Sequence, residues 1–389
     1  FVSQIDYRTS IGLGAEFLDS VSNYLIWYSR KKETCKYREL VKLLKRGEAG
    51  ATRYTWISDN GVDRSLSNEE REDPSGLTEA NCFFKQGLTS RTGSVSTQFG
   101  IFHQGSIYYP TAGGWRTGEK GISLLQRSSR ITVEGKRLVF KKFFGDFGAI
   151  SYTNFWDDVS GGISSRTDPK VYVVQTATEI IQRCILMTTD PGDLVLDPTC
   201  GSGTTATVAE QWGRRWITID TSRVALAIAR SRIMGARYPY YLLADTAEGL
   251  KKEAEVSGRA ISNRPTKGDL RQGFVYERVP HITLKSIANN TEIDVIYEKW
   301  LPAVTDALAS LNKALKGHKK PFRVTTGGRT GKDVRFDAAP KETFRMPSGE
   351  EVLAAELLEW EVPREAPADW PKEAAAPLSK FWESRIARQ

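Results

Sequence analysis

Two carboxylates and a glycine turn are the residues of this 389-residue chain whose spacing best suits chemistry. The run Asp193-Leu-Val-Leu-Asp197 is an apolar stretch that ends in an acid, and Pro198-Thr-Cys-Gly-Ser-Gly-Thr-Thr-Ala206 follows it. A short strand, a tight Gly-x-Gly turn and a helix opening with small and hydroxylated residues make a cradle for a nucleotide-like cofactor. The first helical amides and the helix dipole both favour an acceptor there. Gly201 can take backbone angles closed to other residues, Gly203 lacks a side chain that would block a ligand, and Ala206 lets the helix lie close to the sheet. Residues 203 to 213 read as that helix, stopped by Gly213, and Arg215-Trp-Ile-Thr-Ile-Asp220 reads as the next strand. Asp220 falls 17 residues after Gly203, where a carboxylate at a strand tip takes two ribose hydroxyls.

A nicotinamide or flavin would use the helix N-terminus for a pyrophosphate. S-adenosylmethionine offers only its methionine carboxylate there and is matched by an acid at the first strand's end, which Asp197 supplies. Asp197-Pro-Thr-Cys-Gly-Ser-Gly-Thr-Thr205 resembles the Asp-Pro-Phe-Cys-Gly-Ser-Gly-Thr-Thr motif of amino-group DNA methyltransferases of the permuted β type, among them the modification subunits of type III restriction systems. Thr199 replaces the family's Phe, an aromatic that helps line the cofactor and base pocket. The resemblance implies S-adenosyl-L-methionine as cofactor, with Asp197, Pro198, Thr199, Cys200, Gly201, Ser202, Gly203, Thr204 and Thr205 at its methionine end and Asp220 on its ribose. It places Asp245, the end of a third strand Tyr240-Tyr-Leu-Leu-Ala-Asp245, on the adenine. Lys170 to Met187 resembles the segment before the glycine motif, so Val174, Gln175 and Thr176 join the site as a polar turn. Thr178 then reads as the N-cap of a helix whose Ile180, Ile181, Cys184, Ile185 and Met187 face the core. Thr221 to Met234 reads as a second helix.

Methylating an exocyclic amine in this family uses an [Asp/Asn/Ser]-Pro-Pro-[Tyr/Phe/Trp] loop, whose polar groups accept from the amine while its ring stacks on the flipped base. No Pro-Pro pair occurs in the sequence; Asp73-Pro, Asp168-Pro and Asp190-Pro are turn sequences. The expectation is a fragment, with the loop upstream of Phe1, or a split enzyme receiving it from another chain; either is inactive alone, and no residue here is assigned as catalytic. The rest of the chain resembles adenine enzymes, so adenine N6 is the expected target, with cytosine N4 the alternative. Cytosine C5 chemistry needs a thiolate in a Pro-Cys context, whereas Cys35, Cys82, Cys184 and Cys200 follow Thr, Asn, Arg and Thr.

Charge points to a polyanion. The net charge is +8 and the pI near 9.1, and Arg116, Lys120, Arg127, Arg130, Lys136, Arg137, Lys141 and Lys142 cluster against only Glu119 and Glu134. Aromatic residues interleave them, a mixture that neutralises phosphates and stacks on bases. Double-stranded DNA is therefore the expected partner; the resemblance adds a restriction subunit or a second copy of the chain as candidates. A second basic run spans residues 313 to 335. Four scattered cysteines and His103, His281 and His318 make neither a disulfide framework nor a metal site. No apolar run reaches membrane-spanning length, so a cytoplasmic protein without a membrane partner is expected.

These parts need an α/β fold: a Rossmann-like methyltransferase sheet, an inserted irregular β-rich target recognition domain and an α-containing C-terminal extension. The expected segments are 1–40, the trailing catalytic half of the sheet, with strands Val2–Tyr7 and Tyr24–Ser29; 41–165, the recognition domain; 166–250, the cofactor half; and 251–389, the extension. Ile131–Phe140 reads as a strand and Gly113-Gly114 and Gly161-Gly162 as turns. Asn154-Phe-Trp-Asp157 resembles the family's Asn-x-Trp-x-Asp element with its acid shifted. Residues 291–316 read as a helix burying Ile293, Ile296, Trp300, Val304, Leu308 and Leu311, kinked at Pro302, and Phe381–Gln389 as another helix. Two rivals from other classes are a DNA-binding module without turnover and a nicotinamide oxidoreductase; the second lacks any residue placed as a hydride-transfer acid or base.

Overall fold

The computed structural model describes residues 1–9, 14, 16–45, 50–159, 171–257 and 260–389; Gly161, Gly162, Asp168 and Lys170 lie outside the described residues. The chain divides into two units, Phe1–Leu43 with Ala149–Val279 and Leu44–Gly148 with Pro280–Gln389. Each unit is built from distant stretches of sequence.

In the first unit, strand Leu194–Asp197 lies parallel to Arg215–Thr218, from Leu194↔Arg215 to Asp197↔Thr218, and helix Thr204–Gln211 makes the crossover. Parallel neighbours need such a crossover, and it lays the helix on one face of the pair. Val208 and Ala209 of this helix and Ile185 of helix Thr178–Thr188 pack together with Val195 and Trp216. Leu194, Leu196 and Ile217, alternating onto the other face, stay about half exposed. Ser3–Arg8 pairs antiparallel with Ser22–Trp27 and parallel with Phe155–Trp156, closing a core of Ile5, Trp156, Val159, Ala177 and Ile180.

Several expectations change here. The unit is α/β, but among the described residues its strands form three small sheets instead of one continuous Rossmann-like sheet. Tyr240–Asp245 is not a third parallel strand. Its backbone bonds antiparallel to another segment, Ala244 N–H to Gly273 O and Val275 N–H to Leu242 O, with a single bridge at Leu243 and Phe274. Ala177, not Thr178, is the N-cap residue of the helix that starts at Thr178. The acid of the Asn-x-Trp-x-Asp element is Asp158, in the family's own spacing: it grips Arg183, 2.9 Å on each oxygen, beneath the rings of Tyr152 and Trp156. Trp156 is fully buried core.

The second unit carries a five-stranded antiparallel sheet in the order Ile131–Glu134, Arg137–Phe143, Cys82–Gly87, Trp56–Asp59, Val62–Ser65. The expected strand Ile131–Phe140 is thus a hairpin, turning at Gly135 with φ +59°. Asn60 and Gly61, at φ +48° and +83°, make the neighbouring two-residue turn that strand twist favours. Helix Glu119–Arg127 buries Ile122, Leu124 and Leu125. A separate core joins helices Glu292–Leu315 and Ala375–Arg388 through Leu311, Leu315, Phe336, Phe381 and Trp382. The first runs through Pro302 as one helix, and its buried face is Val304, Ala307, Leu311 and Leu315; Ile296 is 48% exposed.

Candidate cofactor site

The turn between the parallel strands is clamped from three sides. Cys200 N–H bonds Ile219 O (2.9 Å) and Gly203 N–H bonds Cys200 O (2.8 Å), which bends residues 200–203 into a closed loop. Asp220 supplies the second clamp. One carboxylate oxygen accepts from Ser222 N–H and the other from Gly201 N–H, both at 2.8 Å, and these amides hold the acid below its ordinary pKa. Arg232, from helix Arg223–Gly235, is the third. Its Nη1 reaches Ser202 O (3.1 Å), Ser202 Oγ (2.8 Å) and Thr204 Oγ1 (3.1 Å), setting a positive charge at the start of helix Thr204–Gln211.

The glycines divide the work differently from the sequence expectation. Gly201 takes φ +49°, as its conformational role required. Gly203 takes φ +77°, and its missing Cβ leaves room for Ala229, whose Cβ would stand only 2.7 Å away. Its role in this chain is helix packing, not ligand access. Asp197 Oδ1 accepts from Thr199 N–H at 3.0 Å, a turn in which the side chain mimics backbone.

The structure brings most of the expected site together. Gln175 Oε1 accepts from Ser202 Oγ (3.3 Å) and from Val171 N–H (3.1 Å), tying the Val174–Thr176 turn to the glycine loop. Cys200, Ser202, Gly203 and Thr204 are buried; Asp197, Gly201, Thr205 and Asp220 are half-buried, and Val174, Thr176, Pro198 and Thr199 are exposed. Such a loop can hold a ligand with a carboxylate at the helix N-terminus and hydroxyls between two strand-end acids. Asp245 differs. It is 2% exposed, and one of its oxygens accepts from Lys267 and Asp269 N–H at 3.1 and 2.9 Å, so it braces the 267–269 backbone. Arg232 was missed by the sequence reading. Its signal was present: it follows Ala229 by three residues on a helix, so the small residue that admits the loop and the arginine that grips it share a face.

The eight cations of the basic cluster, all in the second unit, do not form one surface. Arg116, Lys120, Lys136 and Arg137 are exposed. Arg127 pairs with Asp294 (2.8 Å), Arg130 with the buried Asp146 (2.7 Å), and Lys141, 5% exposed, with Asp63 (3.0 Å). Lys142 is half-buried, and desolvation lowers its ammonium pKa. Arg130 and Lys141 neutralise internal acids, so they are corrected from phosphate contacts to structural pairs. Among the described residues no group of three or more His, Cys, Asp or Glu side chains could hold a metal, and no helix is long and apolar enough to cross a membrane.

A model of N6/N4-type DNA methylases matches residues 6–231, more than half of the sequence. The chain belongs to the N6/N4 DNA methylase family. That family is S-adenosylmethionine-dependent. Two similar proteins are the type II methyltransferases M2.DpnII of Streptococcus pneumoniae, 50% identical over 54 residues (14% of this chain, 20% of the relative), and M.EcaI of Enterobacter cloacae, 29% identical over 116 residues (30% and 25%). The chain thus spans a quarter or less of the length of these relatives. Among solved structures, M1.HpyAVI in complex with SAM aligns at 26% identity and a TM-score of 0.19 over 25% of this chain and 47% of its own. TTHA0409 of Thermus thermophilus, complexed with S-adenosyl-L-methionine, aligns at 19% identity and a TM-score of 0.17 over 46% and 64%.

Proposed function

We propose that this chain is the cofactor-binding and target-recognition portion of a DNA methyltransferase of a restriction-modification system, directed at adenine N6. The observation that carries the reading is the clamped loop: two strand-end acids, Asp197 and Asp220, flank a left-handed glycine and a helix N-terminus within the segment matched by the family model. S-adenosylmethionine, when bound, supplies an electrophilic methyl group. The residues of this chain do the holding. The helix N-terminus, with Arg232 behind it, receives the methionine carboxylate; Asp197 faces the sulfonium end; Asp220 takes ribose hydroxyls with the lone pairs its two amide bonds leave. Residues 44–148 hold duplex DNA through Arg116, Lys120, Lys136 and Arg137 while the target base leaves the helix. The Pro-Pro loop that activates the amine is absent from residues 1–389, so in this reading the chain needs that loop from other sequence, and catalysis is mainly positioning.

Calorimetric titration of S-adenosylhomocysteine tests the cofactor half. Asp220→Ala removes charge-assisted hydrogen bonds of about 1.5–3 kcal/mol, so affinity should fall about 10- to 100-fold; equal affinity refutes the assignment. Supplying the loop-bearing segment in trans, with duplex DNA and labelled cofactor, tests the rest. Mass spectrometry of the product separates N6-methyladenine from N4-methylcytosine. DNA binding without any transfer selects the non-catalytic module, the reading favoured by the missing loop.

A further inference from the structure

A cavity of about 680 Å³ opens within the second unit, between its five-stranded sheet and the C-terminal stretch around residues 359–389. Its lining leaves nitrogen atoms unpaired. His103 Nε2, Trp360 Nε1 and Arg385 Nε are each buried without a hydrogen-bond partner, and all three residues line the cavity. All three atoms are donors. For Arg385 and Trp360 no other role exists. For His103 the neighbouring amide decides it: Gln126 Nε2 donates to Phe102 O (2.7 Å) and lies 3.3 Å from His103 Nδ1, so Nδ1 accepts and Nε2 carries the hydrogen. A buried donor left unpaired costs about 1–3 kcal/mol. Three of them on one lining call for a ligand rich in acceptors.

The charges agree. Lys141 is paired with Asp63, Arg388 with Glu359, and Glu361 with the buried Arg329. Lys85 and Arg364 also line the cavity and have no carboxylate partner among the described residues. They lie over indole rings, Lys85 3.4 Å from the centroid of Trp56 and Arg364 5.2 Å from that of Trp382. Phe102, 45% exposed, adds an open ring. Cations beside aromatic faces suit an anion joined to a flat ring.

We propose that this cavity binds a nucleoside phosphate, its phosphate meeting the unpaired donors with Lys85 and Arg364, and its base meeting the aromatic wall. Phosphate and base together come from a free nucleotide or from one nucleotide of a nucleic acid strand. The site shares no residue with the cofactor loop, and its test needs no methyl transfer.

The full chain is titrated by calorimetry with 5′-AMP and with a short single-stranded oligodeoxynucleotide, then as the Lys85→Gln/Arg364→Gln variant. Both substitutions fall on side chains without ion pairs, and thermal unfolding and S-adenosylhomocysteine binding report that the chain is intact. Binding of AMP that weakens about tenfold or more in the variant supports a free-nucleotide site. Binding of the oligonucleotide alone, weakened likewise, supports the same pocket filled from a strand. No binding of either probe at millimolar concentration, or equal binding by the variant, overturns the proposal. Loss of S-adenosylhomocysteine binding in Asp220→Ala bears only on the cofactor loop, so the two readings fail separately.

Discussion

Replacing Gly203 by alanine separates what the loop's glycines do. At φ +77° a side chain incurs left-handed strain of about 1–2 kcal/mol. The new Cβ also stands 2.7 Å from Ala229 Cβ and 3.0 Å from its Cα, so helix Arg223–Gly235 has to give way. Overpacking of this kind costs about 1–3 kcal/mol, which brings Gly203→Ala to about 2–5 kcal/mol. Gly201→Ala is the control. Its φ is +49°, and its Cβ would meet only the Tyr172 ring at 3.4 Å, ordinary contact, leaving strain of about 1–2 kcal/mol. Hydrogen exchange across helix Thr204–Gln211 reads the local opening energy directly, without assuming that both units unfold together. Adding Ala229→Gly, which alone costs about 1 kcal/mol in a helix, removes the closest clash and should recover about 1 kcal/mol of coupling. Equal effects at the two glycines, or strict additivity with Ala229→Gly, would falsify the packing account.

Arg329 and Glu361 form a buried pair in the second unit, their side chains 2% and 0% exposed. Arg329→Met should cost about 3–5 kcal/mol in urea unfolding, and pairing it with Glu361→Leu should restore most of that loss. His103 is held down to about 4, first by burial and then by the Lys141 charge. A histidine depressed in the fold keeps its contribution above its unfolded pKa of about 6.5 and loses it as pH falls toward 4. The second unit should therefore lose up to about 3 kcal/mol over that window, and a His103→Gln variant with an unchanged pH slope would sink the idea. Charge reversal at Arg116, Lys120, Lys136 and Arg137 should weaken duplex binding and flatten its salt dependence by about one unit of slope per lost phosphate contact. Arg130→Gln should instead lower stability.

The cofactor loop was legible because its signals are local. Strand, turn and helix lie within residues 193–213, and Gly201, Gly213 and Ala206 act through backbone angles or size that sequence displays directly. What failed was non-local. Whether Tyr240–Asp245 extends the parallel pair depends on a competitor 30 residues on, Gly273–Val275, which takes its backbone groups. The basic cluster misled for a related reason: its count of cations was right, but Asp63, Asp146 and Asp294, the acids that neutralise three of them, lie outside the window. Helix Glu292–Leu315 was found by periodicity, yet its buried face shifted because Ile293 packs against a different core from Leu311.

Asp220 has two roles, and a fall in affinity after its removal mixes them. A carboxylate offers about four lone-pair sites; Gly201 and Ser222 N–H use two, leaving two for ribose hydroxyls. Asp220→Ala therefore removes both the ligand contact and the clamp that sets Gly201 at φ +49°. Asp220→Asn keeps one acceptor oxygen but turns an NH₂ toward the other amide, so it should loosen the loop nearly as much as alanine. Exchange at the Gly201 and Ser222 amides, measured without cofactor, isolates the clamp. If both variants release these amides alike while alanine binds S-adenosylhomocysteine more weakly than asparagine, the remaining difference belongs to the hydroxyl contact. Unchanged exchange in both variants, with affinity still lost, would mean that the clamp contributes nothing and Asp220 acts on the ligand alone.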